Sequence, residues 1–408
     1  MLVVDFTFVG LILICIGLIW LFRKNRLLSN FIIFNLLLTG PLFLFYAAFP
    51  LLGPFMGGVN ERFLITNYLF LGITLSFGVY SLSIIISRIL QKLIRYKEEV
   101  VTLFVTLLFG FLPFTLFFIN YPKTDMSKSD EGSNYARDIL KSANPPGILF
   151  LSGDTTVFNT LYEHYVEGVN KDSVIIGPGR LKLQDYRIEV RRSYPNLSLS
   201  DDFTSGGIID ASKPLIDIIY DNKDKFPIYS VYKIPVPDTY EWVHLGMVMR
   251  LYKKGDRPDA EKLSQLIYER INNFEYDVNK TRKKYINFFT EEIMNAYADA
   301  FASNAEELAI VKDYNDAKKY FEMALENNPD SIRAAIGLGQ VYSKTGNCKE
   351  AEKIFTDVIK RNSKAWEPYR AMSDLYKDCF HDEAKSSDYK KRAEWLMNSE
   401  LAKPVNQL

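Results

Sequence analysis

Asp313-Tyr-Asn-Asp-Ala317-Lys-Lys-Tyr-Phe321-Glu-Met-Ala324 and Asn347-Cys-Lys-Glu-Ala351-Glu-Lys-Ile-Phe355-Thr-Asp-Val358 carry the same pattern, 34 residues apart. Leu308, Tyr342 and Tyr376 recur at the same interval, as do Ala305, Gly339 and Ser373. The spacing has a physical cause. Where paired helices cross closely, only Ala, Gly or Ser fits, and an aromatic ring plugs the gap to the next pair. Upstream, Ala260 to Phe274 and Val278 to Ala302 read as two long helices, so everything from about Asp259 onward is predicted helical.

A 34-residue period with small residues at the crossings and a terminal proline is the tetratricopeptide pattern. Asn328-Pro329 ends the first repeat, and Ser363 stands in place of the proline in the second. The third, from Trp366 to about Trp395, keeps Tyr369, Tyr376 and Tyr389 but has Lys385 where Ala is expected, the mark of a capping repeat. The predicted layout is a helical linker over 256–297 and repeats over 298–397. The packing positions are Ala317, Phe321, Ala324, Gly339, Tyr342, Ala351 and Phe355. Such a solenoid offers a concave surface to a peptide, a protein partner or another part of the same chain.

Reading outward to the N-terminus, the chemistry changes. The 408 residues hold 49 Lys+Arg and 49 Asp+Glu, with a mean hydropathy of −0.06. That balance excludes bulk electrostatic attraction to nucleic acid. It also hides a split, because only 8 of the basic and 4 of the acidic residues precede Pro122. Four uncharged apolar runs fill this region, Phe6–Phe22, Leu27–Asn60, Phe63–Ser87 and Val100–Tyr121. About 20 helical residues cross a bilayer, so four membrane helices are predicted, near 3–22, 27–50, 63–88 and 100–121. The loops Arg23-Lys24-Asn25-Arg26 and Arg88 to Lys97 are basic and are expected on the cytoplasmic side. The N-terminus and everything after Tyr121 are then expected outside the cytoplasm, in a bacterial plasma membrane or in the endoplasmic reticulum of a eukaryote. Pro50, Pro54, Gly53, Gly57 and Gly58 mark either an external hairpin or a cavity-lining break between the second and third helices. Cys15, Cys348 and Cys379 read as too few and too scattered for a disulfide framework or a zinc site. His164, His244 and His381 are too far apart to suggest a metal cluster.

Between these regions, 122–255 reads as an α/β segment. Pro122 to Asn134 is a polar linker, Tyr135 to Ala143 a helix, and Gly147-Ile-Leu-Phe-Leu-Ser152 a fully apolar strand. Asp154 or Thr155 caps a helix over Val157 to Tyr165, and Ser173 to Gly177 and Ile228 to Ile234 are further strands. Strand–helix–strand order predicts a parallel pair, whose sites lie in the loops at the carboxyl ends of the strands. Gly153-Asp154-Thr155 and Gly177-Pro-Gly-Arg180 are two such loops. Asp154, Glu167 and Arg180 are candidates for a polar site there, or else a helix cap, a surface acid and a surface cation. Neither loop has the glycine and lysine spacing of a nucleotide cradle. His164, between Tyr162 and Tyr165, reads as a packed aromatic neighbour. The predicted fold class is therefore multi-domain: an α-helical membrane bundle, a small α/β domain and an α-helical tetratricopeptide solenoid.

In this order the parts resemble the C-terminal half of the transmembrane protein O-mannosyltransferase-like proteins of the GT-C type, several of which end in tetratricopeptide repeats. The likeness rests on Glu61-Arg62-Phe63-Leu-Ile-Thr-Asn-Tyr68, similar to the family's entry into a late membrane helix. Leu151-Ser-Gly-Asp154-Thr-Thr-Val-Phe158 is similar to its strand-end motif. Leu161-Tyr162 through Val166-Glu167-Gly168 and Phe226-Pro-Ile-Tyr229-Ser with Leu245-Gly-Met-Val-Met-Arg250-Leu follow in the family's order. The resemblance implies transfer of a sugar from a lipid-phosphate donor, with an acidic residue in the first external loop as base or metal-binding group. That acidic loop has no counterpart here, where the only external acids before Lys123 are Asp5 and Glu61. No catalytic residue is identified, and Glu61 and Arg62 join the candidate polar positions. Two expectations follow: a glycosyltransferase relative whose N-terminal catalytic half lies upstream or on another polypeptide, or a non-catalytic membrane-anchored adaptor. No cofactor beyond that lipid-phosphate donor is implied. The partners expected are the bilayer, a protein or peptide on the repeats, and that N-terminal half.

Overall fold

The computed structural model describes residues 2–47, 64–91, 97–199, 212–284 and 286–401. The chain divides into two compact units, Met1–Lys128 and Ser129–Leu408.

The first unit is built of helices, with short turns between them, among its described residues. It contains α1 (Leu2–Lys24), α2 (Arg26–Leu37), a π-helical turn (Leu38–Leu42), α3 (Phe43–Ala47), α4 (Ile65–Gln91) and α5 (Glu98–Thr124). Asn25 caps α2 by accepting the Leu28 N–H. Pro41 lies in the π turn, which accommodates the missing N–H, and the Thr39 hydroxyl donates to the Asn35 carbonyl at 2.7 Å. Helices α1 and α4 meet backbone to backbone. A Cβ added at Gly17 would lie 2.0 Å from the Thr74 carbonyl oxygen, and one at Gly78 would lie 1.9 Å from that of Leu13. Small residues at such a crossing are the usual basis of close helix packing in lipid. Trp20 stacks on Phe77 beside it, with ring centroids 5.5 Å apart.

Four spanning helices were expected from the sequence. Among the described residues two segments, Arg26–Tyr46 and Ile65–Leu90, are long and apolar enough to cross a membrane. The other two runs also fold as helices, in α1 and α5. The expected hairpin around Gly53, with Glu61 and Arg62, lies outside the described residues.

The second unit opens with α6 (Glu131–Ser142), which starts within the stretch expected as linker. A five-stranded mixed sheet follows, in the order β2-β1-β3-β5-β4. Its parallel strands are β1 (Ile148–Phe150), β2 (Val174–Ile176) and β3 (Ile228–Ser230), each shorter than the apolar run that signalled it. Between them lie α7 (Asp154–Tyr165), α8 (Gln184–Ser193) and α9 (Ser212–Asn222). An antiparallel hairpin, β4 (Tyr240–Leu245) and β5 (Val248–Lys253), completes the sheet against β3. Both sheet faces are covered. Ile148 and Phe150 point into a core with α8 and α9, whereas Leu149 and Leu151 join the opposite one. Alternation with both sides buried is why β1 reads as continuously apolar. At the hairpin tip Gly246 has φ +68°, and a Cβ there would meet the Ser142 hydroxyl at 2.5 Å.

The helical remainder comprises α10 (Ala260–Asn272), α11 (Val278–Thr281), α12 (Phe288–Ile310), α13 (Tyr314–Asn327), α14 (Ile332–Lys344), α15 (Cys348–Arg361), α16 (Glu367–Asp378) and α17 (Glu383–Leu401). The single helix expected over Val278–Ala302 is broken, because Asn287 caps a new start by accepting the Thr290 N–H at 2.9 Å. Leu263 and Ile267, in the stretch read as linker, are fully buried in a core shared by the sheet and the first repeat. The cysteine expectation is corrected: Cys348 and Cys379 form a disulfide with Cα atoms 6.0 Å apart. Their separation of 31 residues is close to one repeat period, so stacking of successive repeats brings them together.

Candidate functional site

The repeats present a groove. In each helix pair the first member (the C-terminal part of α12, then α14, then α16) lines the concave side, and α13, α15 and α17 lie behind. The floor is set by glycine. A Cβ at Gly337 would come 2.2 Å from the Phe321 ring, and one at Gly339 would come 2.3 Å from the Phe355 ring. Ala317, Phe321, Ala324, Ala351 and Phe355 are buried at these crossings. Tyr342 is half-buried, with the Lys318 ammonium 5.0 Å from its ring centroid.

Two adjoining depressions follow, of about 650 Å³ and 550 Å³, sharing Glu306, Gly337 and Gln340. Ile336, Ile310 and Ala371 give them apolar walls, and Lys364, Glu367, Asp374 and Asp378 give polar rims. Two ion pairs join neighbouring first helices across the groove. Arg333 is bidentate to Glu306, at 2.7 and 2.5 Å, and Lys344 lies 3.7 Å from Asp378. All four side chains are more than 40 % exposed, so these pairs add little stability and remain available for exchange with a ligand. An apolar floor between charged rims suits an extended or helical peptide.

A buried polar junction ties the repeats to the α/β layer. The Asn304 side chain bonds both the N–H and the carbonyl of Gly246, at 2.9 and 2.8 Å. Glu307 accepts the His244 N–H at 3.1 Å and Arg257 at 2.6 Å, and burial raises its pKa. Burial lowers His244 to about 4, so the ring is neutral at physiological pH. Deeper in, Asp138 accepts the backbone N–H groups of Glu275 and Tyr276, and the Tyr297 hydroxyl at 2.6 Å. Burial nonetheless pushes its carboxyl up to about 6. At the near edge Asp130 is held down to about 2 by hydrogen bonds from Lys280 and Lys284.

The strand-end candidates are dispersed. Asp154 is exposed in the first turn of α7, at the carboxyl end of β1. Arg180 is exposed at the carboxyl end of β2 and stacks over Tyr186 at 4.5 Å, while the Tyr186 hydroxyl accepts the Gly177 N–H. Glu167 accepts the Tyr162 hydroxyl at 3.1 Å just beyond the other end of α7. A rise of 1.5 Å per residue puts it roughly 18 Å from Asp154. The sheet therefore places Asp154 and Arg180 at one edge and leaves Glu167 at the other. His164 is buried against Tyr165, with ring centroids 4.7 Å apart, and its Nδ1 bonds the Val169 carbonyl. Sequence reasoning missed Gly337, Glu306 and Arg333 in the groove and Asp138 in the junction. The Gly337-Leu-Gly339 doublet was the signal for the first. Nothing local marks Asp138, whose partners lie more than 130 residues away.

The tetratricopeptide repeat family model matches residues 308–373, which takes in the groove from the end of α12 to the middle of α16. A comparison with curated proteins finds no match.

Proposed function

We propose that this chain is a membrane-anchored tetratricopeptide adaptor that holds an extended segment of a protein partner outside the cytoplasm. The groove over Gly337 and Gln340 carries the reading, because it joins an apolar floor to exposed, exchangeable ion pairs. The anchor comprises the apolar segments Arg26–Tyr46 and Ile65–Leu90 and, as a further span, α5, whose uncharged run Val100–Tyr121 is long enough to cross. With the basic loops before α2 and after α4 on the cytoplasmic side, a crossing by α5 carries the repeats to the outer face. The test is site-specific photo-crosslinking in cells, with the crosslinker at Gln340 in the groove or at Lys360 on the outer helix α15. Adducts of defined mass at Gln340 and none at Lys360 are expected. Equal labelling at both positions, or none at either, contradicts the proposal.

A second reading keeps the resemblance to the GT-C mannosyltransferase-like proteins, with sugar transfer from a lipid-phosphate donor. It is favoured by the placement of Gly153-Asp154 and Gly177–Arg180 together at the carboxyl edge of the parallel strands, where α/β sheets hold ligands. The purified chain alone is expected to show no transfer from a polyprenyl-phosphate sugar. Turnover lost in Glu61→Ala or Asp154→Ala would instead make this reading the primary one.

A further inference from the structure

The disulfide closes the last repeat onto the array. Cys348 opens α15 and Cys379 follows the last residue of α16, so the bond runs from the outer helix of the second pair to the groove-lining helix of the third. Between them lies a small satellite core of Ala351, Phe355, Ala371, Met372, Leu375 and Tyr376. Asp378, adjacent to Cys379, pairs with Lys344 on the groove wall. A terminal repeat has only one neighbour to pack against, so it is the part of a solenoid most prone to local opening. Here that opening is opposed by a covalent tie at the single edge where the repeat meets the array.

We infer that the Cys348–Cys379 bond is a structural disulfide acquired by thiol–disulfide exchange after export, and that it holds the third repeat in place to complete the groove. The exchange balances with a disulfide-bearing oxidant protein. One cysteine thiolate attacks the oxidant's disulfide, giving a mixed disulfide and releasing one oxidant thiolate. The second cysteine thiolate then attacks its partner's sulfur, closing the Cys348–Cys379 bond and releasing the second thiolate. Two protein thiols are oxidised, one oxidant disulfide is reduced to a dithiol, and two protons pass from the cysteines to the oxidant. Such bonds persist in oxidising compartments and are rare in the cytosol, so an intact bond also reports on which side of the membrane the repeats reside. The inference rests on the outward placement of the repeats. It does not depend on partner binding, since a groove that binds nothing can still carry the bond, and the two readings fail separately.

The test uses the full chain, exported and purified from membranes without reductant, denatured and treated with N-ethylmaleimide. Cys15, which is free, serves as internal control. Peptide mapping is expected to find Cys15 alkylated and Cys348 and Cys379 alkylated only after reduction. Amide exchange of the folded chain, read by mass spectrometry with and without reductant, is expected to rise at least about tenfold across 367–401 on reduction. No change is expected across 314–344. In the chain carrying Cys348→Ser and Cys379→Ser, 367–401 should exchange fast in both conditions. The reductant arm acts on the folded wild-type chain and holds even where that double variant does not accumulate. Alkylation of Cys348 and Cys379 alongside Cys15 without reductant overturns the inference. So does exchange across 367–401 that reduction leaves unchanged.

Discussion

The two units sort the same amino acids in opposite directions. In the N-terminal unit the large apolar side chains face outward, with Phe45 87 % and Phe8 72 % exposed, while Ser29, Thr74, Ser83 and Ser87 are buried. The buried hydroxyls need no distant partner where they can bond within their own helix, as Thr74 does to the Phe70 carbonyl and Ser83 to that of Val79. In the C-terminal unit Phe150, Tyr297, Phe321 and Phe355 are nearly or fully buried, and Lys and Glu cover the outside. What differs is the solvent each surface is built to meet. Apolar-out with small or self-bonded residues within is the arrangement expected against lipid, and apolar-in is the arrangement expected against water.

The sharpest way to break this contrast is to truncate one aromatic in each unit. Phe355→Ala should cost about 3–5 kcal/mol by emptying the crossing under Gly339, read by denaturant unfolding of the C-terminal unit. Phe45→Ala, at an outward position, should leave the unfolding of both units unchanged. Equal effects at the two positions would erase the distinction. Next comes charge insertion. Leu107→Lys, on the exposed face of α5, should oppose membrane insertion by about 2–3 kcal/mol in a glycosylation-based insertion assay. Tyr162→Lys, exposed on α7, should stay within about 0.5 kcal/mol of wild type.

A third test concerns the junction inside the C-terminal unit. The folded-state pKa of Asp138, about 6, lies above its ordinary value of 3.8, so the folded state binds the extra proton between those values. The stabilisation from that proton is present below about pH 4 and is lost as pH rises through 6, by on the order of 1–3 kcal/mol. Unfolding measured across pH 4–7 should show this fall in wild type and a flatter profile in Asp138→Asn. A profile that rises over the same window in wild type alone would show that other groups dominate. The smallest effect is expected at the groove surface, where Glu306→Ala should cost no more than about 1 kcal/mol of stability because the pair with Arg333 is exposed. A loss of partner crosslinking at Gln340 in the same variant would separate binding from folding.

Much of the helical frame was legible because its signals are short-range. Ala317, Phe321, Ala351 and Phe355 sit one period apart, and the floor they build follows from side-chain size alone. The β4–β5 hairpin was harder to read. Glu241, His244 and Arg250 interrupt its alternation, and two of its polar groups are bought out of water by Asn304 and Glu307, some 60 residues later. Cys348 and Cys379 look unrelated in the linear chain, and only the stacking of repeats makes them neighbours. Asp138 has the same origin, since it is a helix residue like many others until Tyr297 and the Glu275 and Tyr276 amides close around it. The strand-end candidates failed to converge for a simpler reason. Asp154 and Glu167 are separated by the whole length of α7, a distance that spacing in sequence does not announce.

The central claim, that an apolar anchor carries the repeats outside the cytoplasm, is tested most directly by protease treatment of sealed, right-side-out membranes washed with alkaline carbonate. The expected result is a chain that stays with the membrane pellet and loses its C-terminal unit to added protease, leaving a protected fragment containing α1 to α5. Release of the chain by carbonate would contradict that claim, as would repeats cleaved only after the membranes are opened.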